Sequence, residues 1–487
     1  MVQISKNKIL NSIPDYIIFV GEELQKNGFE AFLVGGCVRD ILLDRKPGDF
    51  DIATNAYPEE IIKIFPKSIP TGAKFGTITV VVPDSGGENF SVQITTYRSE
   101  EDYFGARWPS KVNFTRSIKD DLSRRDFTIN ALAINLQEFD NTNVTENEII
   151  LDLFEGLKDL DLKIIRTVGD PIERLSEDGL RSVRACRLAS QLEFSIESNT
   201  FEAIKQTLHI TKQISIERFR EEFEKLIYKS SKPSVGLRLM YECGILQIFI
   251  PELCEGVGIV QPKFHVDDVF EHSLKTLDIA PDEIKIAALF HDIAKPRCKT
   301  EDEKGVHFYG HDILGAQMSE EILKRLRFPN HVINEVKTLV RWHMFYYPSA
   351  DWRENKNEKN EHLHGWSDSA IRRLINNVGG IKMIDKLLKL RIADASANPK
   401  SDFNSSEIEA LSQRIADVLK KSTALTIKDL DINGKDLMEN FQLKPGKQIG
   451  EILRYLLDKV IEEPGLNKKL DLLRLAKDFI EKRELII

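Results

Sequence analysis

Near residue 151 the periodicity of the chain changes, and this change constrains the fold more than any other feature. Upstream, short apolar or alternating runs are separated by turn residues: "AFLVGG" (31–36), "FDIAT" (50–54), "GTITVVVP" (76–83) and "FSVQITTYR" (90–98). Such runs read as strands, and the turn-rich "DSGGEN" (84–89) joins the last two as a hairpin. Residues 14–29, "VRDILLD" (38–44) and "EEIIKIF" (59–65) have helical spacing. "DFTINALAIN" (126–135) reads as a turn leading into a helix or strand. From "LDLFEGLKDL" (151–160) onward nearly every segment is helical in period. The expected class is therefore α+β: a small mixed β-sheet head, then a mostly α-helical remainder.

A chain of 487 residues accommodates two to four domains. The expected bounds are a head at 14–150, a helical neck at 151–260, a third unit at 261–400 and a helical tail at 401–487. The polar, aperiodic stretch 350–368 reads as a long surface loop. The net charge of −9 means that the surface as a whole does not attract nucleic acid, so a polynucleotide partner needs a local basic face. Cys37, Cys186, Cys243, Cys254 and Cys298 are scattered, odd in number and without a CxxC pair, which suggests reduced thiols in the cytoplasm. The N-terminal residues carry no apolar h-region, and no run approaches the ~20 apolar residues of a membrane span, so neither signal peptide nor membrane is expected.

Within "KPGDFDIAT" (46–54), Asp49 and Asp51 flank Phe50. Residues i and i+2 of a strand share a face, so the carboxylates point together while Phe50 turns to the core. Two converging carboxylates repel unless a cation lies between them, and oxygen-only ligands suit Mg²⁺. A pair of such ions clamps the attacking and leaving oxygens of a displacement at phosphorus. Upstream, Gly35 and Gly36 end a strand and open a helix, with thirteen residues from Gly36 to Asp49, a turn at which backbone N–H groups approach phosphate. Arg39 adds a charged fork one turn later.

With these residues in view, "LVGGCVRDILLDRKPGDFDIAT" (33–54) resembles the head signature of class II tRNA nucleotidyltransferases and bacterial poly(A) polymerases. Four further blocks match in order: "RRDFTINALAIN" (124–135), "LDLFEGLKDLDLKIIRTVGDP" (151–171), "RLSEDGLRSVRACRLA" (174–189) and "ISIERFREEFEKLI" (214–227). The resemblance implies that Asp49 and Asp51 hold the catalytic metals and that Gly35, Gly36 and Arg39 cradle the triphosphate. It also implies that Arg124, Asp126 and Asn130 position ribose and phosphates. Family members often carry an acidic residue where this chain has Gln93, which lowers the negative charge of the site.

Asp178 and Arg181 in "EDGLRSVRACR" (177–187) are three apart, which places both on one helix face. That spacing fits an intrahelical salt bridge. It also fits base selection, because cytosine and adenine both offer an exocyclic amine beside an unprotonated ring nitrogen. A carboxylate accepts from the amine and an arginine donates to the ring nitrogen; uracil and guanine reverse the pattern. In the family this block is the protein template for the incoming base. Arg181, Arg184 and Arg187 recur at three-residue spacing and read as a basic stripe or a mixed solvated face.

A third series is His272, the pair His291–Asp292, His311, His343 and Asp394, spread over helical sequence. It resembles the HD phosphohydrolase superfamily. The resemblance implies a primary metal site of His272, His291, Asp292 and Asp394, with His311 and His343 adding a second ion. Mixed imidazole and carboxylate ligands suit a divalent transition metal. His265, His362 and His364 have no assigned role; Lys295 and Arg297 fit either a phosphate or a helix end.

These readings converge on a CCA-adding enzyme that uses CTP, ATP and Mg²⁺ to extend the 3′ end of tRNA. The competitors are a poly(A) polymerase, an enzyme adding only CC or only A, and an HD phosphohydrolase with a nucleotide-binding head. A protein-uridylylating regulator also couples such a head to an HD domain, but the C/A block opposes UTP. The intact segment "YRSEEDYFGARWPSKVNFTRS" (97–117) opposes a CC-only enzyme.

Overall fold

The computed structural model describes residues 6–83, 88–104, 108–138, 149–261, 266–303, 305–345, 366–398, 405–421 and 426–484. The chain divides into two compact units, Met1–Pro251 and Glu252–Ile487.

The first unit is built on a seven-stranded sheet of order β3-β4-β5-β2-β1-β8-β9. Its strands are β1 (Phe32–Val34), β2 (Asp51–Thr54), β3 (Ser68–Gly72), β4 (Thr77–Pro83), β5 (Asn89–Thr96), β8 (Leu132–Asn135) and β9 (Ile150–Asp152). Strands β6 (Arg98–Phe104) and β7 (Trp108–Phe114) form a separate antiparallel ribbon in the segment 97–117. Alternation explains the edge: in β4, Ile78, Val80 and Val82 are buried while the intervening residues are only partly covered. Their register against β5, Ile78↔Ile94 and Val80↔Val92, closes one apolar face. β1 is buried on both faces, as a central strand must be. β2 lies antiparallel to β1 and parallel to β5, which makes the sheet mixed. Helices Asp15–Lys26, Gly36–Leu42 and Pro58–Ile64 match the helical spacings, and residues 126–135 resolve into a short 3₁₀ turn followed by β8.

Beyond β9 the first unit is mostly helical. Helices Pro171–Glu177 and Leu180–Leu192 are separated by Asp178 and Gly179. A Cβ on Gly179 would lie 2.7 Å from both Ile210 O and Thr211 Cα, so only glycine permits this approach.

The second unit carries helices Val269–Ile279, Lys285–Phe290, His311–Arg325, Asn330–Trp342, Asp368–Val378 and Ile381–Ser396. A small hairpin, β12 (Thr300–Asp302) and β13 (Gly305–His307), interrupts them; β10 (Ile164–Ile165) and β11 (Ser195–Ile196) are two-residue strands of the first unit. The C-terminal cluster centres on helix Lys447–Glu462, where Ile449, Ile452, Leu453, Leu456, Leu457, Val460 and Ile461 are buried at helical spacing. The loop expected at 350–368 falls mostly outside the described residues, as do His265, His362 and His364.

Candidate active site and second metal centre

β1 ends at Val34 because Gly35 adopts φ +82°, a left-handed conformation that glycine tolerates. With no β1 residue to pair beyond that point, β2 begins at Asp51, opposite Val34. Asp49 therefore lies just upstream of the strand and is exposed, and Phe50 is half-buried rather than in the core. The expected two-residue strand geometry across 49–51 is corrected accordingly. The carboxylates still act on each other: burial first, then the charge of Asp49, raise the pKa of Asp51. A half-buried acid made harder to ionise by a second acid is the donor set a divalent cation satisfies, so the residues fit a metal. Gln93 pairs in register with Asp51 on the parallel strand β5, which sets the neutral amide beside the acidic pair.

The motif residues form one connected network. Buried Arg39 donates to Asn130 Oδ1 at 2.7 Å and to Asp40 Oδ1 at 2.7 and 2.9 Å. Asn130 Nδ2 donates to Asp126 Oδ1 at 3.1 Å, and Arg184 lies 2.8 Å from Asp126 Oδ2. Burial opposes the charge on Asp126, but Arg184, Asn130, Arg181 and the Phe127 N–H together outweigh it and the carboxyl is held below its ordinary pKa. The glycine turn, the "RRD" block and the helix Leu180–Leu192 are thereby tied together.

Arg124, named from the sequence, binds Asp121 at 2.7 Å. Its neighbour Arg125 reaches the same carboxylate at 3.0 Å and lies against Gly35, with Nη1 3.0 Å from where a Cβ would stand. Arg125 also lowers the proton affinity of Asp51. It is a cation beside the glycine turn that sequence reasoning missed; the doubled arginine was visible, but not which of the two turns toward the glycine.

Asp178 and Arg181 do not sit together on one helix. Asp178 is extended (φ −145°, ψ 110°) in the break before helix Leu180–Leu192, because Gly179 packs there. The intrahelical bridge does not form between them. Asp178 receives a bidentate fork from Arg218, 3.0 and 2.7 Å, and accepts from Leu180 N at 3.0 Å. Arg181 pairs with Glu177 and donates to Arg174 O and Arg124 O at 2.6 and 3.0 Å. Arg218 lies in the "ISIERFREEF" block, which the sequence reading matched without giving this residue a role. The basic stripe is also corrected: Arg181 and Arg187 are both buried, Arg187 against Glu222, and only Arg184 of the three spaced arginines is partly exposed.

In the second unit, His272, His291, Asp292, His311 and His343 are all buried within one cluster. His272 Nε2 is 2.9 Å from Asp394 Oδ1 and 3.7 Å from Asp292 Oδ2. His291 Nε2 is 3.2 Å from Asp292 Oδ2 and 3.5 Å from Asp394 Oδ1. On the other side Asp292 Oδ1 is 3.5 Å from His311 Nε2 and 3.7 Å from His343 Nε2. Asp292 thus stands between two donor sets, and His291 and Asp292 face the same centre from a helix end rather than opposite sides of a helix.

Helix ends fix the rings. His291 and His343 cap helices Lys285–Phe290 and Asn330–Trp342, and their Nδ1 atoms bond the carbonyls of Ala288 (2.8 Å) and Val340 (2.7 Å). His311 Nδ1 does the same to Phe308 O at 2.7 Å. A carbonyl only accepts, so each Nδ1 carries a proton and Nε2 is the atom left to ligate a metal when the ring is neutral. The Nε2 atoms of His311 and His343 lie 3.3 Å apart, which two lone pairs favour only with a cation between them. His291 Nε2 is buried without a well-aligned hydrogen bond among the described residues. Burial opposes a charge on His291, yet Asp292 and Asp394 raise its pKa to about 10. The carboxylates therefore demand positive charge, and the donor set fits a metal. Arg297 is exposed and paired with Glu255, so it does not join this centre.

Family profiles match a poly A polymerase head domain at residues 31–166 and a probable RNA and SrmB-binding site of polymerase A at 193–256. An HD domain matches at 268–396 and a tRNA nucleotidyltransferase domain 2 at 382–476. A CCA-adding enzyme of Pediococcus pentosaceus is 33% identical over 94% of this chain and 97% of its own length. One from Ligilactobacillus salivarius is 32% identical over 98% and 100%. The solved structure of Bacillus stearothermophilus CCA-adding enzyme in complex with CTP aligns with TM-score 0.65 and 25% identity, covering 97% of this chain and 99% of that one. With relatives 33% and 32% identical and aligned over nearly their whole length, the chain belongs to the CCA-adding enzymes, a family of nucleotidyltransferases.

Proposed function

We propose that this chain completes the 3′ end of tRNA by adding CMP, CMP and AMP from CTP and ATP without a nucleic-acid template, in the cytoplasm. The observation that carries the reading is the network from Arg39 through Asn130 and Asp126 to Arg184. It couples the phosphate-binding turn to the helix that carries Arg181 and follows Asp178, so triphosphate and base are held on one rigid frame. The first domain (14–150) supplies the acids, the second (151–260) the selection residues, the third (261–400) the HD cluster, and the tail (401–487) a tRNA contact.

Asp49 and Asp51 would hold Mg²⁺, which activates the 3′-hydroxyl and steadies the departing pyrophosphate. The chain's own residues do the rest. Gly35 and Gly36 let the backbone approach the triphosphate; Arg39 and Arg125 neutralise it; Arg124, Asp126 and Asn130 fix ribose and phosphates. Asp178 accepts from the exocyclic amine of C or A, and Arg181 donates to the adjacent ring nitrogen after exchanging one of its present partners. The test uses tRNA ending before C, after C and after CC, each with single labelled nucleoside triphosphates. Addition of C, C, then A with stopping supports the reading. Unlimited A tails identify a poly(A) polymerase, and no incorporation removes both.

Gln93 gives a second test of the head. Gln93→Glu adds a carboxylate beside Asp51 and should lower the Mg²⁺ concentration for half-maximal incorporation about fivefold, from roughly 1 kcal/mol of added attraction. Titration with Mn²⁺, read by electron paramagnetic resonance, checks the same shift without turnover; unchanged affinity would remove Gln93 from the metal's surroundings.

The HD cluster supports a second, hydrolytic centre. His272, His291, Asp292 and Asp394 would hold one divalent transition metal and Asp292, His311 and His343 another. Metal bound there would supply an activated water for attack on a phosphate ester. His291→Ala should remove at least one equivalent of tightly bound metal, counted by plasma mass spectrometry, while CMP and AMP addition continue at the parent rate. Equal metal content in the variant would refute the site.

A further inference from the structure

Asp121 lies in the helix Ile118–Ser123, whose Leu122 joins an apolar cluster with Phe32, Val34, Ala53 and Tyr97. Asp121 is itself 1% exposed, and two arginines share its carboxylate. Arg124 Nε and Nη2 donate to Oδ1 at 3.1 and 2.7 Å, and Arg125 Nη2 donates to Oδ2 at 3.0 Å. Burial raises the Asp121 pKa, but the charges and hydrogen bonds of Arg124 and Arg125 outweigh it and hold the carboxyl below its ordinary value. A fold does not require such a trio, because packed hydrophobic side chains often replace a buried ion pair without loss. What the carboxylate adds is direction, since each oxygen fixes one guanidinium.

The two arginines are held differently. Arg124 grips its oxygen with a fork, and its carbonyl accepts from Arg181 at 3.0 Å. The Arg125 guanidinium has one hydrogen bond among the described residues, the one to Asp121. Its Nε is buried without a partner there, and its Nη1 stands 3.0 Å from where a Cβ on Gly35 would lie. The side chain keeps 19% exposure, and its charge lowers the proton affinity of Asp51. Arg125 is thus a partly open cation with unused N–H groups beside the glycine turn and the paired acids, and Asp121 aims it.

We propose that Asp121 is a positioning residue of nucleotidyl transfer, which aims Arg125 at the phosphates of the incoming nucleotide without touching them. The inference rests on the triphosphate role given to Arg125 above.

The test is calorimetric titration of the full-length protein with magnesium pyrophosphate, a probe that carries phosphates and no base. The titration reads affinity apart from the folded fraction, which alters only the stoichiometry. Asp121→Asn keeps the size but replaces one carboxylate oxygen by an amide that donates, and so turns a guanidinium away. It should weaken pyrophosphate binding about tenfold or more and raise KM for CTP and ATP alike, with kcat changed less than about threefold. Asp121→Glu keeps the charge but moves it by one methylene, and should weaken binding about threefold, because position and not charge alone is what Arg125 needs. Arg125→Ala should cost about tenfold or more by itself, and adding Asp121→Asn should cost nothing further, the non-additivity of residues that act through one another. Affinity lost in Arg125→Ala but kept in both Asp121 variants would overturn the positioning role. Losses that add in the double variant would overturn it too, because they mark a carboxylate that serves only the fold. Parental affinity in Arg125→Ala would instead overturn the triphosphate role of Arg125 on which the inference rests.

Discussion

Replacing Asp49 and Asp51 together by asparagine should cut CMP incorporation by about a thousandfold or more. Charge stabilisation by a metal at phosphorus contributes several kcal/mol, and each 1.36 kcal/mol is a decade of rate. The fold should not suffer, and the sign can be worked out. Burial and the charge of Asp49 raise the pKa of Asp51 in the folded state. A carboxyl whose folded pKa is raised binds its proton more tightly when folded, so its stability contribution falls as pH rises through that range. At neutral pH without metal, the ionised Asp51 therefore costs stability that asparagine relieves. The double variant should melt at or above the parent temperature while being inactive, a separation of stability from function expected where a site is held in an unfavourable charge state. Full-rate incorporation by the variant would sink the assignment. A large fall in melting temperature would show that the acids serve the fold instead.

The second large effect concerns Arg218. Its guanidinium grips both oxygens of Asp178, and Leu180 N holds one of them. A carboxylate so fixed presents its remaining lone pair in one direction, which is what base selection needs. Arg218→Met leaves Asp178 free to rotate and should lower the preference for CTP over UTP, and ATP over GTP, by about tenfold to a hundredfold. That range corresponds to losing the roughly 1–3 kcal/mol penalty imposed on a mismatched polar edge. Arg218→Lys should restore only part, because an ammonium cannot supply two parallel N–H bonds. A purely structural role for Arg218 would depress kcat/KM for all four nucleotides together and leave their ratios alone.

How much of this was legible in the sequence follows from the range of each interaction. Alternation in 76–83 and the glycines at 35 and 36 act within a few residues, so the head strands and the turn could be read directly. The position of Asp49 could not, because where β2 begins depends on where β1 ends. Asp178 looked helical because its neighbours are; the break comes from Gly179 packing against Ile210 and Thr211, a contact thirty residues away in sequence. Arg218 lies forty residues from its partner, and no local spacing announces such a pair. The HD histidines were visible as a series, but their ring orientation was not: it comes from backbone carbonyls three residues upstream that each Nδ1 satisfies.

The most direct measurement is anomalous diffraction from crystals soaked with Mn²⁺ and CTP. The account requires manganese bound by both Asp49 and Asp51 beside the triphosphate, with the cytosine amine on Asp178. Manganese bound away from that pair, or cytosine facing any other residue, would contradict it.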